Sequence, residues 1–111
     1  MEPFTQRVVE IIKEIPEGKV MTYGQIASQA GNRRGARQVA RFLHTLSTKY
    51  ELPWHRVINS KGEISIQDFE SSNLQKLLLE SEGVKFTRRN TISLNEFQYH
   101  KVITFNEFDL M

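Results

Sequence analysis

The sequence predicts a mainly α-helical domain with a small β-hairpin, a fold of the α+β class. Several stretches repeat apolar residues at the three- and four-residue spacing of a helix, and each ends at a glycine or proline. One short β-branched run is followed by a strong turn sequence. With 111 residues, 39% of them hydrophobic, the chain fits a single domain, residues 1–111, around one modest core.

A first helix is predicted from Pro3, which suits the first helical turn, to the break at Pro16–Gly18. Its apolar residues recur at helical spacing: Phe4, Val8, Ile11, Ile12 and Ile15. A second, short helix is expected after Thr22, because the Thr22 hydroxyl can cap it while the Gln25 side chain reaches back to the backbone N–H of the cap. This helix ends near Gly31.

A third helix is predicted over residues 36–46, followed by a polar loop over residues 47–52. One face of this segment is apolar, with Val39, Phe42, Leu43 and Leu46. The opposite face carries Arg34, Arg37 and Arg41. Two short helices joined by a glycine-bounded turn outline a helix-turn-helix. An arginine stripe on its second helix favours contact with nucleic acid, and a solvated helix face is the alternative.

The second half predicts a strand, Val57–Ile58, that returns through the turn Asn59–Gly62 as Glu63–Ser65. Such a hairpin beside a helix-turn-helix resembles a wing, so the fold is expected to be winged-helix-like. A last helix over residues 72–82 ends at Gly83 and is expected to bury Leu74, Leu77 and Leu78, with Leu79 as a further candidate. In the tail, residues 87–111, the apolar residues lack a consistent period: Ile92, Leu94, Phe97, Tyr99, Val102, Ile103, Phe105 and Phe108.

Composition excludes several kinds of chemistry. The chain has no cysteine, which excludes disulfides, zinc–thiolate sites and a thiolate nucleophile. Its three histidines lack metal-ligand spacing, so neither a metal nor a cofactor is expected. No stretch approaches the roughly 18 consecutive apolar residues of a membrane span, and no signal peptide is recognisable. We therefore expect a soluble intracellular protein. Its net charge is only +2, and its pI is about 9.0.

Trp54 and its neighbours form a second candidate site. An aromatic face can stack on an extruded base, and His55 and Arg56 can supply a polar rim. A buried core tryptophan is the alternative. His55 can pair with Glu82 as a general base, or the two can form a buried hydrogen bond that fastens the last helix. No nucleophilic thiol is available for such a base to activate.

Five segments, read together, resemble the O6-alkylguanine-DNA alkyltransferase domain: Thr22-Tyr23-Gly24, Ala36-Arg37-Gln38-Val39, Pro53-Trp54-His55-Arg56-Val57, Asn59-Ser60-x-Gly62 and Glu82-Gly83. The resemblance extends over residues 4–86. In the alkyltransferases the second position of the Pro-x-His-Arg-Val element is the alkyl-accepting cysteine, whereas this sequence has Trp54. With no cysteine anywhere, the sequence resembles the alkyltransferase-like subfamily.

The resemblance implies roles for matched residues. Arg37 is similar to the arginine finger that enters from the minor groove and fills the space of the extruded nucleotide, and Tyr23 to the tyrosine that rotates that nucleotide outward. His55 and Glu82 would be remnants of the pair that activates the cysteine in the enzymes. Residues implied in DNA binding are Tyr23, Arg34, Arg37, Gln38 and Arg41. Residues implied in the lesion pocket are Tyr23, Trp54, Val57, Asn59 and Gln67.

Gln67 is a departure from the family pattern. Other alkyltransferase-like proteins can carry an arginine at this loop position, next to the pocket. Glutamine can hydrogen-bond a guanine edge but cannot make a cation–π contact. The preference of this protein among alkyl groups is therefore left open by the sequence.

The function that the resemblance implies is recognition without repair. The protein would bind double-stranded DNA containing O6-alkylguanine from the minor groove, flip the base without transferring the alkyl group, and mark the site for nucleotide-excision-repair proteins, UvrA if the source is bacterial. It would be non-enzymatic, and associated with the nucleoid in a bacterium or nuclear in a eukaryote. A monomer is expected because no extended apolar stripe is left over once the core is assigned. Two alternatives remain: a sequence-specific winged-helix transcription regulator, and a DNA-processing enzyme in which His55 and Glu82 activate water.

Overall fold

The computed structural model describes residues 1–101. Within this range the helices are α1 Pro3–Lys13, α2 Tyr23–Gln29, α3 Ala36–Tyr50, α4 Phe69–Ser81 and α5 Leu94–Phe97, with a 3₁₀ turn at Trp54–Arg56. The strands are β1 Met21–Thr22, β2 Val57–Ile58, β3 Phe86–Arg88 and β4 Thr91–Ile92. The mainly helical class with a small β component is confirmed. Val102, Ile103, Phe105 and Phe108 of the predicted tail lie outside the described residues.

The capping box that begins α2 is present as the sequence predicts. The Gln25 backbone N–H donates to the Thr22 hydroxyl at 3.0 Å, and the Thr22 N–H donates to the Gln25 side chain at 3.2 Å. Two hydrogen bonds thus satisfy N–H groups that a helix start leaves unpaired. The Gln25 amide also donates to the carbonyl of Tyr99 at 2.6 Å. The start of α2 is therefore fastened to the C-terminal part of the described chain.

Helix α3 is longer than the sequence predicts, because it continues to Tyr50 and not to residue 46. The predicted polar loop at residues 47–52 is wrong over its first four residues. The hydroxyls of Thr45 and Ser47 donate to carbonyls four residues earlier, so these polar side chains are accommodated within the helix. Glu51 ends the helix in the left-handed conformation, with φ 52°. The added turn of α3 extends the wall of the candidate site.

The predicted hairpin from β2 to residues 63–65 is wrong. Strand β2 instead pairs in parallel with β1, Met21 opposite Val57 and Thr22 opposite Ile58. After the turn, the Ile64 N–H donates to the carbonyl of Asn90, and the Ile92 N–H donates to that of Gly62. The observed hairpin is the antiparallel pair β3 and β4. Periodicity specifies a strand but does not specify its partner, which tertiary packing selects.

The predicted turn at residues 59–62 is present. Asn59 Oδ1 accepts the backbone N–H groups of Lys61 and Glu63 at 3.0 and 2.8 Å. Gly62 has φ 75°, and a Cβ there would lie 2.6 Å from the carbonyl oxygen of Ile92. Glycine is therefore required, because it allows both the left-handed backbone and the close approach of the β4 strand.

The inward face of α4 differs from the prediction. Leu74 and Leu77 are 48% and 62% exposed, and Leu78 is half-buried. The candidate Leu79 is buried as expected, and Gln75, which was not predicted, is buried beside it. The helix begins at Phe69, three residues before the predicted start, after Asp68 accepts a hydrogen bond from the Ser71 N–H. Its exposed leucines leave apolar surface uncovered by residues 1–101. The expectation of a monomer depended on no apolar stripe being left over, so these exposed leucines remove its basis.

Two apolar clusters hold the elements together. The larger packs α1, α2 and α3 around Val8, Ile12, Ile26, Val39 and Leu43. The smaller joins β2, α4 and the C-terminal elements through Val20, Ile58, Leu79, Ile92 and Phe97. The tail as far as residue 101 therefore completes the core. Among residues 1–101, no helix has both the length and the apolar character needed to cross a membrane.

Candidate nucleic-acid interface

A groove of about 1040 Å³ runs between α3 and the segments that carry Tyr23, Trp54 and Ser65. Tyr23 begins α2 immediately after the capping box, and Trp54 opens the 3₁₀ turn that precedes β2. Because β1 and β2 pair in parallel, they bring the Tyr23 and Trp54 segments together from distant parts of the sequence. The groove is thus made by tertiary pairing and is lined on its other side by α3.

The N-terminal end of α3 presents the arginines. Arg37 lines the groove, whereas Arg41, one turn later, is exposed outside the groove lining. Arg34 lies in the turn before α3, not on the predicted helical stripe, and joins Arg33 at a separate depression of about 480 Å³. Gln38 is exposed in the first turn of α3. A helix N-terminus with adjacent guanidinium groups attracts phosphate through both its free N–H groups and its dipole.

Gly35, the residue before α3, is closely packed. A Cβ at this position would lie 2.9 Å from Cζ of Phe4 and 3.1 Å from the carbonyl oxygen of Asn32. The Asn32 side chain also accepts the backbone N–H of Arg34 at 3.1 Å. The turn between α2 and α3 is therefore fixed by packing, which sets the direction in which α3 presents Arg37.

Tyr23 is half-buried in the groove wall and packs against the larger apolar cluster. Burial raises the pKa of its phenol above the ordinary value, and a hydrogen bond with the Ser65 side chain opposes this only in part. The phenol is therefore protonated at neutral pH and can donate a hydrogen bond to a phosphate or a base.

Trp54 is both a core residue and an accessible residue of the groove, the two alternatives that the sequence leaves open. It packs against the larger apolar cluster and also lines the groove, so one part of the indole is core while another is accessible. Its ring stands edge-on to His55, with centroids 6.2 Å apart and an interplanar angle of 84°. Because its buried part packs against the apolar cluster, the indole has a fixed orientation, and its accessible part can stack on a base.

His55 and Arg56 both contact Glu82 and do not line the groove. Glu82 Oε2 lies 2.7 Å from His55 Nε2 and 2.7 Å from an Arg56 Nη, while Glu82 Oε1 accepts the Gly18 N–H at 3.1 Å. The predicted contact of His55 and Glu82 is confirmed. The expected polar rim from Arg56 is wrong, because its guanidinium also donates to the carbonyl of Ile15 at 2.9 Å.

The protonation of Glu82 follows from these contacts. Burial by itself raises the pKa of this carboxyl group, but hydrogen bonds from Arg56, His55 and the Gly18 N–H outweigh it and bring the pKa to about 2. Glu82 is thus a carboxylate whose lone pairs are occupied by donors. Such an arrangement fastens α4 to the site segment and leaves little capacity to take up a proton at neutral pH.

Three residues expected in the pocket lie elsewhere. Val57 is buried, and its carbonyl accepts the Gln75 amide at 2.9 Å. Asn59 organises the turn after β2, and Gln67 is exposed outside the groove lining. Sequence reasoning missed the residues that α3 contributes beyond Ala40, namely Leu43, His44, Ser47, Thr48 and Glu51. The extra length of α3 accounts for Ser47, Thr48 and Glu51. Leu43 and His44 lie within the predicted helix, where Leu43 is predicted only in the core and nothing in the sequence marks His44.

Residues 1–101 contain no group of three metal-ligating side chains that could hold an ion. The arrangement therefore offers an arginine-bearing helix end, a phenol donor and an aromatic platform around one open groove. These are the components with which a protein binds duplex DNA and receives a base removed from the stack.

The fold and groove define a DNA-binding domain of alkyltransferase type. Residues 3–84 match the family described as 6-O-methylguanine DNA methyltransferase, DNA binding domain, and the chain belongs to this family. It is 39% identical over 99 residues to the DNA base-flipping protein of Vibrio parahaemolyticus, covering 89% of this chain and 98% of that protein. It is 42% identical over 99 residues to alkyltransferase-like protein 1 of Schizosaccharomyces pombe, covering 88% and 89%. The chain is an alkyltransferase-like protein.

Solved structures agree with this assignment. The S. pombe protein in complex with damaged DNA containing O6-carboxymethylguanine superposes with a TM-score of 0.80 at 39% identity, covering 91% of this chain and 98% of that one. The O6-methylguanine methyltransferase of Mycobacterium tuberculosis superposes with a TM-score of 0.57 at 32% identity, covering 74% and 49%. The helix-rich fold with a small β component, predicted from the sequence, is therefore that of this family, although the predicted wing hairpin is not present.

Proposed function

We propose that this protein binds duplex DNA from the minor groove and extrudes O6-alkylguanine into the groove beside Trp54, where the lesion is held without loss of its alkyl group. The observation that carries the proposal is the convergence of Arg37, Tyr23 and Trp54 on one groove of about 1040 Å³. Relatives named for base flipping and a structural neighbour bound to damaged DNA support it.

The energetics of base extrusion match these three residues. Removing a base from the stack costs a few kcal/mol, which insertion of a side chain into the vacated space can offset. Arg37 is exposed in the first turn of α3, from which it can enter the duplex. Tyr23 can donate to the backbone phosphate beside the flipped nucleotide, and Trp54 can stack on the extruded base. The separate depression at Arg33 and Arg34 suits a further phosphate.

The same residues support binding without chemistry. Transfer of an alkyl group from the O6 oxygen needs a soft, strong nucleophile, and the chain contains no cysteine. Trp54 occupies the position that the acceptor cysteine has in the alkyltransferases. His55 is held by Glu82 within the fold, so the pair acts as a fastening between α4 and the site segment. We infer that the protein is not an enzyme.

Recognition without repair implies a signal to other proteins. We infer that the bound complex marks the lesion for nucleotide excision repair, through UvrA in a bacterium, and that the protein acts where its DNA is, at the nucleoid or in the nucleus. A single chain supplies Arg37, Tyr23 and Trp54 to the groove, so one copy is sufficient for one lesion. Slow dissociation suits such a marker, because the signal lasts only while the protein is bound.

The deciding experiment is equilibrium binding to matched duplexes containing guanine or O6-methylguanine at fixed salt, with recovery of the DNA afterwards. We expect the alkylated duplex to bind at least about tenfold tighter, equivalent to about 1.4 kcal/mol, and to be recovered chemically intact. Equal affinity for the two duplexes would contradict lesion recognition and favour the sequence-specific regulator. Loss of the alkyl group would favour the enzyme.

A further inference from the structure

The groove also extends along the second half of α3, which forms its distal part as measured from Arg37. Ser47, Thr48 and Glu51 line this distal part, together with the buried Leu43 and Leu52. Fourteen residues separate Arg37 from Glu51, which at 1.5 Å per residue corresponds to about 20 Å along the helix axis. Glu51 precedes Trp54 by three residues and lines the same groove, so a substituent on a base stacked against Trp54 can come close to the Glu51 carboxylate.

The charges along the groove are arranged asymmetrically. Arg37 lies at the end that faces DNA, Glu51 at the distal end, and His44 two turns before Glu51. Within residues 1–101, no side chain makes an ion pair with Glu51. The position of Glu51 is set by its backbone, because its N–H donates to carbonyls of α3 while its φ of 52° ends the helix. The lining of the distal groove therefore includes an exposed carboxylate that makes no ion pair among residues 1–101.

We propose, resting on the function proposed above, that Glu51 determines which O6 substituents this groove accepts. It selects neutral substituents and hydrogen-bond donors, such as methyl, hydroxyalkyl and carbamoylalkyl groups, over substituents that carry a carboxylate. Two like charges close together in a partly solvated site repel enough to lower affinity by about fivefold. Glu51 is thus a specificity-determining residue for the adduct, not for the duplex.

The test uses two nearly isosteric lesions that differ in charge, O6-carboxymethylguanine and O6-carbamoylmethylguanine, in otherwise identical duplexes. The quantity measured is the ratio of their dissociation constants, because general effects of protein charge on DNA affinity cancel in a ratio. His44 is present in every protein compared, so its contribution to the ratio also cancels. We expect Glu51→Gln to reduce the preference for the carbamoyl lesion by about fivefold relative to the unmodified protein.

Glu80→Gln is the matched control, since it removes the same charge from an exposed glutamate of α4 outside the groove lining. It should leave the ratio unchanged. An unchanged ratio in Glu51→Gln, or an equal change in Glu80→Gln, would overturn the role of Glu51. The guanine and O6-methylguanine duplexes are measured in parallel. Absence of a preference between those two would instead overturn the proposed function, so the two failures are distinguishable.

Discussion

The guanidinium of Arg56 and the carboxylate of Glu82 are joined by three hydrogen bonds of 2.7, 3.0 and 3.2 Å. Both side chains are largely buried, at 15% and 11% exposure. Arg56 also donates to the carbonyl of Ile15, which follows α1. The pair therefore connects the segment after α1, the 3₁₀ turn that carries Trp54, and the end of α4. These contacts fix the relative positions of the segments that support the groove.

Arg56→Ala is expected to destabilise the fold by about 3 kcal/mol, because removal of one partner leaves the other charge buried and unpaired. The measurement is the free energy of unfolding by urea at pH 7. Arg89→Ala, which removes an exposed arginine from the turn between β3 and β4, is the control and should change stability by less than about 0.5 kcal/mol. A loss below about 1 kcal/mol for Arg56→Ala would contradict the fastening role.

Stability is expected to fall with acidification through Glu82. Its pKa in the folded protein is about 2, below the ordinary value of 4.5 for an unfolded chain. A depressed folded pKa contributes stability above pH 4.5 that is lost progressively as the pH falls towards 2. With solvent screening included, the loss should be about 2 kcal/mol.

The corresponding measurement is urea unfolding at several pH values from 7 to 3. Glu82→Gln removes the titrating group and should flatten this dependence, although it lowers stability at pH 7. Parallel pH profiles for the two proteins would assign the acid sensitivity to other carboxyl groups.

Arg37→Ala should reduce the preference for O6-methylguanine over guanine. Loss of a side chain that fills the vacated stack weakens binding of the lesion duplex by about tenfold, and binding of the guanine duplex much less. Arg41→Ala is the matched comparison, since Arg41 lies one turn further along α3 and outside the groove lining. It should weaken both duplexes equally and lower the salt dependence of binding. Equal effects of the two substitutions would indicate that Arg37 only contacts a phosphate and does not fill the vacated stack.

Trp54 is the single tryptophan in the chain, so intrinsic fluorescence reports on the groove directly. Stacking of an extruded base on the indole should quench its emission when the O6-methylguanine duplex is added. The guanine duplex, at a concentration that gives equal occupancy, should quench it less. Full quenching by both duplexes, or by neither, would indicate that the lesion base does not reach Trp54.

Replacing each of two glycines by alanine is expected to have opposite effects on stability. Gly62→Ala should cost more than about 2 kcal/mol, because the backbone is left-handed and a Cβ would lie 2.6 Å from the Ile92 carbonyl oxygen. Gly24→Ala, inside α2 with no atom within 4 Å of the added Cβ, should be neutral or stabilise by up to about 1 kcal/mol. Thermal or urea unfolding measures both. Similar losses at the two positions would contradict the close approach of the Gly62 turn and β4.

Local rules predicted much of this molecule correctly. The capping box at Thr22, the turn at residues 59–62 and the glycine after α4 each depend on a few neighbouring residues, so sequence is sufficient to specify them. The absence of cysteine, read from composition alone, excludes thiolate chemistry. The contact between His55 and Glu82 was expected because both residues lie in segments that resemble one family.

Tertiary structure decided what depends on distant partners. Periodicity marked Val57–Ile58 as a strand, but its pairing with β1 follows from the packing of two apolar clusters. The buried face of α4 is set by Gln75, whose amide donates to the carbonyls of His55 and Val57. The residue type alone does not predict this, because glutamine is usually exposed. Glu51 reaches the groove lining because α3 continues to Tyr50, past the polar residues at which the sequence predicts its end. The sequence by itself determined the kind of domain, because that depends on short-range patterns and motif identity. Only tertiary structure decided the shape and charge of the groove, because its walls come from segments far apart in the chain.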